Sequence, residues 1–262
     1  APHLVHNMRF VIPTYDWWNT PFYGVGLKVY DVMAGKLGLG RSEVLSKKET
    51  IKKIPNINQE GLNGGVIYHD GQFDDARMAI SLARTIEEYH GTVINYMKWE
   101  SFIYENNKAA GIMAIDQLSG ESHRIYAKTV INATGVFAEK IMKKDDPSID
   151  IRIQPSQGVH LVLDKSFLKT DNAIMVPNTS DGRVLFAVPW HDVVIVGTTD
   201  NEVKEAVIEP LASEEEIQFI LTNAEKYMNR KPKKSDIKSI FTGLRPLIYK
   251  KNKSSKSLSR KH

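Results

Sequence analysis

Between Gly158 and Asp164 the sequence reads GVHLVLD, and this period of two constrains the fold more than any other feature. Successive side chains of an extended strand point to opposite faces, so Val159, Leu161 and Leu163 define one side and His160 and Val162 the other. Two more strand-like runs follow at 183–189 and 192–197, joined over His191-Asp192 as a hairpin. An amphipathic helix over 213–228 and a last strand, IKSIFTGLRPLI (Ile237–Ile248), complete the second half. Strands joined by short turns, with helices set apart from them, predict an antiparallel or mixed sheet in an α+β domain.

The first half has a different rhythm. Residues 22–39 place apolar side chains at helical spacing, and 41–60 read as loop and short helix. Over 74–90, Ala76, Ala79, Ile80, Ala83 and Ile86 form one apolar stripe, with Asp74 or Asp75 to cap the helix and Gly91 to end it. Strands are expected at 92–96, 101–105, 109–116 and 123–126, with Asn106-Asn107 as one turn. KTVINATG (Lys128–Gly135) then reads as an apolar strand running into a helix over 136–143, an α/β pattern.

Composition narrows the class. Of 262 residues, 42% are hydrophobic and 25% charged, ordinary values for a globular chain. No apolar run approaches the ~20 residues needed to cross a bilayer, and the N-terminus lacks the apolar core of a signal peptide. The absence of cysteine excludes disulfides, thiolate nucleophiles and cysteine-ligated metals, and no metal site is expected. It suits a reducing, cytoplasmic setting. The net charge of +4 is small but uneven, with six glutamates in 202–216 and a basic run from Lys250 to Lys261. That tail has no interleaved aromatic residue, so nucleic acid is not an expected partner.

Four segments carry candidate chemistry. VINATG (Val130–Gly135) ends in small residues that let a backbone approach something bulky, or simply turn from strand to helix. His160 lies on the face opposite the apolar one, next to Ser156-Gln157-Gly158, placed for a ligand or for an ordinary surface hydrogen bond. GTTD (Gly197–Asp200) ends a strand in residues that also favour plain turns. Arg245, held extended before Pro246, interrupts an apolar pattern and calls for an anion, either a ligand or a glutamate. The G-x-G triplets at Gly24–Gly26 and Gly38–Gly40 do not follow a predicted strand, so neither reads as a phosphate loop.

Taken in order, GQFDDAR (Gly71–Arg77), INATG, PSQGVH, SDGRVLFAVPW, VGTTD and GLRPL resemble the FAD-dependent glycerol-3-phosphate dehydrogenases and the related α-glycerophosphate oxidases. The resemblance runs from about Pro2 to Arg260 and is nearer to the mitochondrial-type sequences than to the shorter bacterial ones. It implies hydride transfer from C2 of glycerol 3-phosphate to FAD, giving dihydroxyacetone phosphate. It implies His160 as the catalytic-side residue, and Arg245, Arg260 and Thr199 at the substrate. Trp99, Ala133, Thr134, Gly135, Ser156 and Gly158 would meet the flavin. Lys261 departs from the family's pattern after Arg260.

The resemblance further implies a truncated two-domain oxidase architecture. Residues 1–65 would be a connecting helical segment of the substrate domain, 66–147 an incomplete α/β FAD-binding lobe, 148–243 the substrate-binding domain and 244–262 a return segment with the basic tail. The strand and G-x-G-x-x-G loop with which such proteins begin are not found, so a central fragment that is inactive and flavin-free by itself is expected. Quinone or oxygen would be the electron acceptor, with peripheral contact on the inner face of a membrane. An amine or amino-acid oxidase relative and a non-catalytic anion-binding module are the alternatives.

Overall fold

A computed structural model describes residues 3–35, 38–177 and 179–248. The chain divides into two compact units. The first comprises residues 1–74, 156–202 and 207–244; the second comprises 75–155, 203–206 and 245–262.

The first unit is built on a mixed sheet. Its strands are β1 (Val5–Thr14), β2 (Glu43–Ser46), β3 (Gly64–Phe73), β7 (Ile153–Asp164) from residue 156 on, β8 (Ala173–Val176), β9 (Leu185–Trp190), β10 (Val193–Gly197), β11 (Asn201–Glu202) and β12 (Ile237–Ile248) up to residue 244. The order is β11-β7-β10-β9-β8-β1-β3-β2, and β12 also pairs with β7. β1 and β8 are parallel; β9 and β10 form the expected hairpin over His191-Asp192.

One sheet face carries Val159, Leu161 and Leu163 of β7, Val194 and Val196 of β10, and Ile174, Leu185 and Val11, all buried. Helix α5 (Glu214–Ala224) covers it with Ile217, Ile220 and Leu221, joined by Ile54 and Ile57 just after helix α2 (Lys47–Lys53). Each helix starts at a serine whose side chain accepts from the third residue, while that residue, Glu49 or Glu216, reaches back to the serine amide. Such a capping box satisfies two orphan donors at once. The opposite face holds Met8, Phe10, Tyr68, Phe186 and Val188. There helix α1 (Asn19–Ala34) borders an apolar cavity of about 620 Å³ lined in part by Ile12, Tyr23, Tyr68, Asp70 and Met175.

The second unit has a three-stranded antiparallel sheet, β4 (Met97–Glu105), β5 (Lys108–Asp116) and β6 (Ser122–Tyr126), with helices α3 (Asp75–Glu88) and α4 (Ala138–Asp145). The β4–β5 turn puts Asn106 and Asn107 at φ of 48° and 60°, the left-handed pair a two-residue hairpin needs. Glu139 of α4 accepts from the Ile153 amide at 2.6 Å, and the Tyr104 hydroxyl donates to Asp145.

Two expected strands are not formed. Thr92–Tyr96 and Lys128–Gly135 have no ladder partner among the described residues, and Ile131 is 82% exposed. β-branched composition favours an extended chain, but a strand also needs a hydrogen-bonded neighbour. The stripe of α3 likewise stays open, with none of its residues buried and Ile80 and Ile86 exposed. Conversely, β1 and β3, unassigned from sequence, pair along ten residues in the large sheet.

Candidate functional site

His160 points away from the α5-covered core, as the alternation of β7 requires. Its ring lies between two strands. On one side the backbone partner is Gly197, the last residue of β10. A Cβ on Gly197 would stand 2.4 Å from the His160 ring, so only glycine leaves room. On the other side Phe241 of β12 stacks on the imidazole, centres 4.9 Å apart and planes at 10°.

Beyond Gly197 the pairing breaks and resumes. His160 faces Gly197 and Gln157 faces Asn201, so 158–159 lie opposite 198–200, one residue too many. This is a bulge, and it turns the Thr198–Asp200 segment out of the ladder. The side chain of Thr199 folds back instead. Its hydroxyl accepts from the Val159 amide at 3.0 Å and donates to Glu216 Oε1 at 2.9 Å. Thr199, expected at the substrate, is thus 1% exposed with its hydroxyl used internally.

Glu216 collects the surrounding motifs. Oε1 accepts from Thr199 and from Asn201 Nδ2 at 2.9 Å; Oε2 accepts from Gln157 Nε2 at 2.7 Å and the Ser213 amide at 3.0 Å. Four donors fill the acceptor sites of a carboxylate that is 3% exposed. Asn201 in turn accepts from Arg183, which pairs with Asp181 at 2.6 Å. Ser156 is fully buried and donates to Asp200. PSQG, SDGR and GTTD therefore form one network around a residue the motif reading passed over. Its legible signal was the serine–glutamate spacing of Ser213 and Glu216.

The residues expected at a flavin fall into two groups. Ser156 and Gly158 are buried in β7, and the Ser156 hydroxyl is committed to Asp200. In the second unit Ala133, Thr134 and Gly135 are exposed; Gly135 has φ of 57° and nothing within 4 Å of where a Cβ would sit. Asn132 braces this turn by accepting from Thr134 and donating to the Ala138 carbonyl. Trp99 stands at a register shift of β4, where backbone leaves the ladder, and its buried indole N–H has no acceptor among the described residues. An open small-residue turn and an unsatisfied buried donor fit a nucleotide. Gly24 and Gly26 lie inside α1, as expected of residues outside any phosphate loop. Arg245 is half-buried in β12, four residues after Phe241. Arg260 lies outside the described residues.

Known proteins resemble this chain in sequence and fold. The mitochondrial glycerol-3-phosphate dehydrogenase of Schizosaccharomyces pombe is 38% identical over 95% of the chain and 40% of its own length. The solved glycerol-3-phosphate dehydrogenase of Bacillus halodurans, complexed with FAD, superposes with a TM-score of 0.80 at 32% identity, over 95% of the chain and 45% of its own. The L-α-glycerophosphate oxidase of Mycoplasma pneumoniae, with FAD bound, shares the fold at a TM-score of 0.75 and 15% identity, over 95% of the chain and 64% of its own. The chain thus spans about two fifths of the length of the curated relative. The family described as FAD dependent oxidoreductase matches residues 1–256, and the chain belongs to it.

Proposed function

We propose that this chain supplies the substrate-side sheet and part of the flavin lobe of an FAD-dependent glycerol-3-phosphate dehydrogenase. The observation that carries the reading is the 38% identity to a glycerol-3-phosphate dehydrogenase across 95% of the chain. The organised face around His160 supports it.

When bound, FAD would supply the hydride acceptor for oxidation at C2 of glycerol 3-phosphate, a reaction in which the 2-hydroxyl gives up its proton. In this reading His160 orients that hydroxyl or takes its proton, a role suited to an imidazole held flat between Gly197 and Phe241. Arg245 presents a planar fork to the substrate phosphate, with Arg260 as a second contact. Trp99 and the Ala133–Gly135 turn would hold the nucleotide half of the flavin, within the second unit. Ser156 and Gly158 shape the strand below the flavin by their backbone. A quinone or oxygen would serve as the electron acceptor, with contact at the inner face of a membrane in the quinone case. Among the described residues no helix is long and apolar enough to cross one.

The test is anaerobic. Glycerol 3-phosphate should bleach the flavin absorbance of the natural full-length chain and yield dihydroxyacetone phosphate, while glycine should not. Bleaching by glycine alone would support an amino-acid oxidase instead, and phosphate binding without any bleaching would support an anion-binding module.

A further inference from the structure

The bulge between β10 and β11 leaves the Val159 amide without a backbone acceptor in the ladder, because the pairing skips from His160–Gly197 to Gln157–Asn201. A buried amide needs an acceptor. Thr199 supplies it with its hydroxyl, and a hydroxyl has one proton to place. That proton goes to Glu216 Oε1, which leaves a lone pair of the Thr199 hydroxyl oxygen turned toward the Val159 amide. Glu216 is itself held by the Ser213 amide at the start of α5 and by Gln157 and Asn201, the facing pair at which the ladder resumes beyond the bulge. A single carboxylate thus ties the end of a helix to both strands that flank the irregular segment. The next residue after Val159 is His160.

We propose that Glu216 is a positioning residue of this enzyme, acting through Thr199 on the Val159 backbone to fix where His160 stands. The proposal rests on reading the His160 face as the substrate side. It assigns Thr199 a role in holding the strand and gives the S-x-x-E spacing at Ser213 a purpose beyond starting a helix. Helix capping alone would need only the Ser213 contacts; Gln157, Thr199 and Asn201 add nothing to a cap.

The test uses the natural full-length chain with Thr199→Val, which keeps the shape and deletes the hydroxyl, Thr199→Ser, which restores it, and Glu216→Gln. Amide hydrogen exchange over 156–161 is read together with kcat and KM for glycerol 3-phosphate. Thr199→Val should exchange about tenfold faster in this segment, the worth of one hydrogen bond. Its kcat should fall about tenfold, with KM changed by less than about twofold. Thr199→Ser should return both to the parent values. Glu216→Gln, if it folds, should reproduce Thr199→Val, and the double variant should be no worse than either single one, as expected of residues acting in series. Unchanged exchange in Thr199→Val, or faster exchange with an unchanged kcat, overturns the proposal. A parent flavin that glycerol 3-phosphate does not reduce sinks the functional reading alone; the exchange comparison then decides the Glu216–Thr199–Val159 link by itself.

Discussion

The imidazole of His160 lies flat against the ring of Phe241, with 4.9 Å between centres and 10° between planes. The pair joins neighbouring strands, β7 and β12, and limits the rotation of a ring whose two nitrogens must face fixed directions to be useful. Phe241→Leu keeps an apolar cover but removes the flat partner. A double-mutant cycle with His160→Asn, read by urea unfolding, should return about 0.5–1.5 kcal/mol of coupling. Strict additivity would show that the stack does not hold the ring.

Gly197 closes the other side of the same ring. An added methyl would meet the imidazole at 2.4 Å and the Val159 carbonyl oxygen at 2.8 Å, and the carbonyl cannot swing away without disturbing β7. Gly197→Ala should therefore displace His160 and cost about 1–3 kcal/mol of stability, the range for overpacking a closed site. Flavin reduction by substrate should slow even at temperatures where the variant is fully folded. A variant that matches the parent in both thermal unfolding and reduction rate would mean that the strand adjusts freely.

Ser156 offers a test of the network away from the histidine. It is fully buried, and its hydroxyl donates to the carboxylate of Asp200. A hydrogen bond to a charged group contributes about 1.5–3 kcal/mol, so Ser156→Ala should destabilise by that amount in equilibrium unfolding. Ser156→Cys should fall between the two, since a thiol donates weakly. If the loss in Ser156→Ala appeared only as weaker flavin retention, Ser156 would be a direct cofactor contact.

His160 was legible in the sequence because period-two alternation is local: seven residues suffice to place it opposite Val159, Leu161 and Leu163. The hairpins at Asn106-Asn107 and His191-Asp192 were legible for the same reason. The pairing of β1 with β3 was not, because Val5 and Phe73 meet only through the fold, and Pro13 and the glycines of β3 blur both patterns. Apolar composition misled at Thr92–Tyr96 and Lys128–Gly135, where the chain finds no neighbouring strand among the described residues. Glu216 was visible as a capping glutamate, but its contacts to Gln157, Thr199 and Asn201 depend on a bulge that arises only when β7, β10 and β11 are in register. The motifs marked which segments matter; the register decided which of their side chains face away from the α5-covered core and which face each other.

Asp164 ends β7 and provides a pH-dependent check on the join to β12. Lys238 donates to its carboxylate at 2.8 Å, and with the Ser166 amide and hydroxyl it holds the acid well below the usual carboxylate range. A depressed folded pKa means that the contribution is complete above the unfolded value, near pH ~3.9, and is lost as pH falls toward the folded one. Both side chains are about half exposed, so salt should weaken the effect. Asp164→Asn should lower the melting temperature slightly at neutral pH and low ionic strength. The gap from the parent should narrow steadily below pH ~4 and shrink in high salt. A gap that stays constant from neutral to acid pH would assign the loss to the carboxamide's poorer fit at the strand end, with the Lys238 pair contributing nothing.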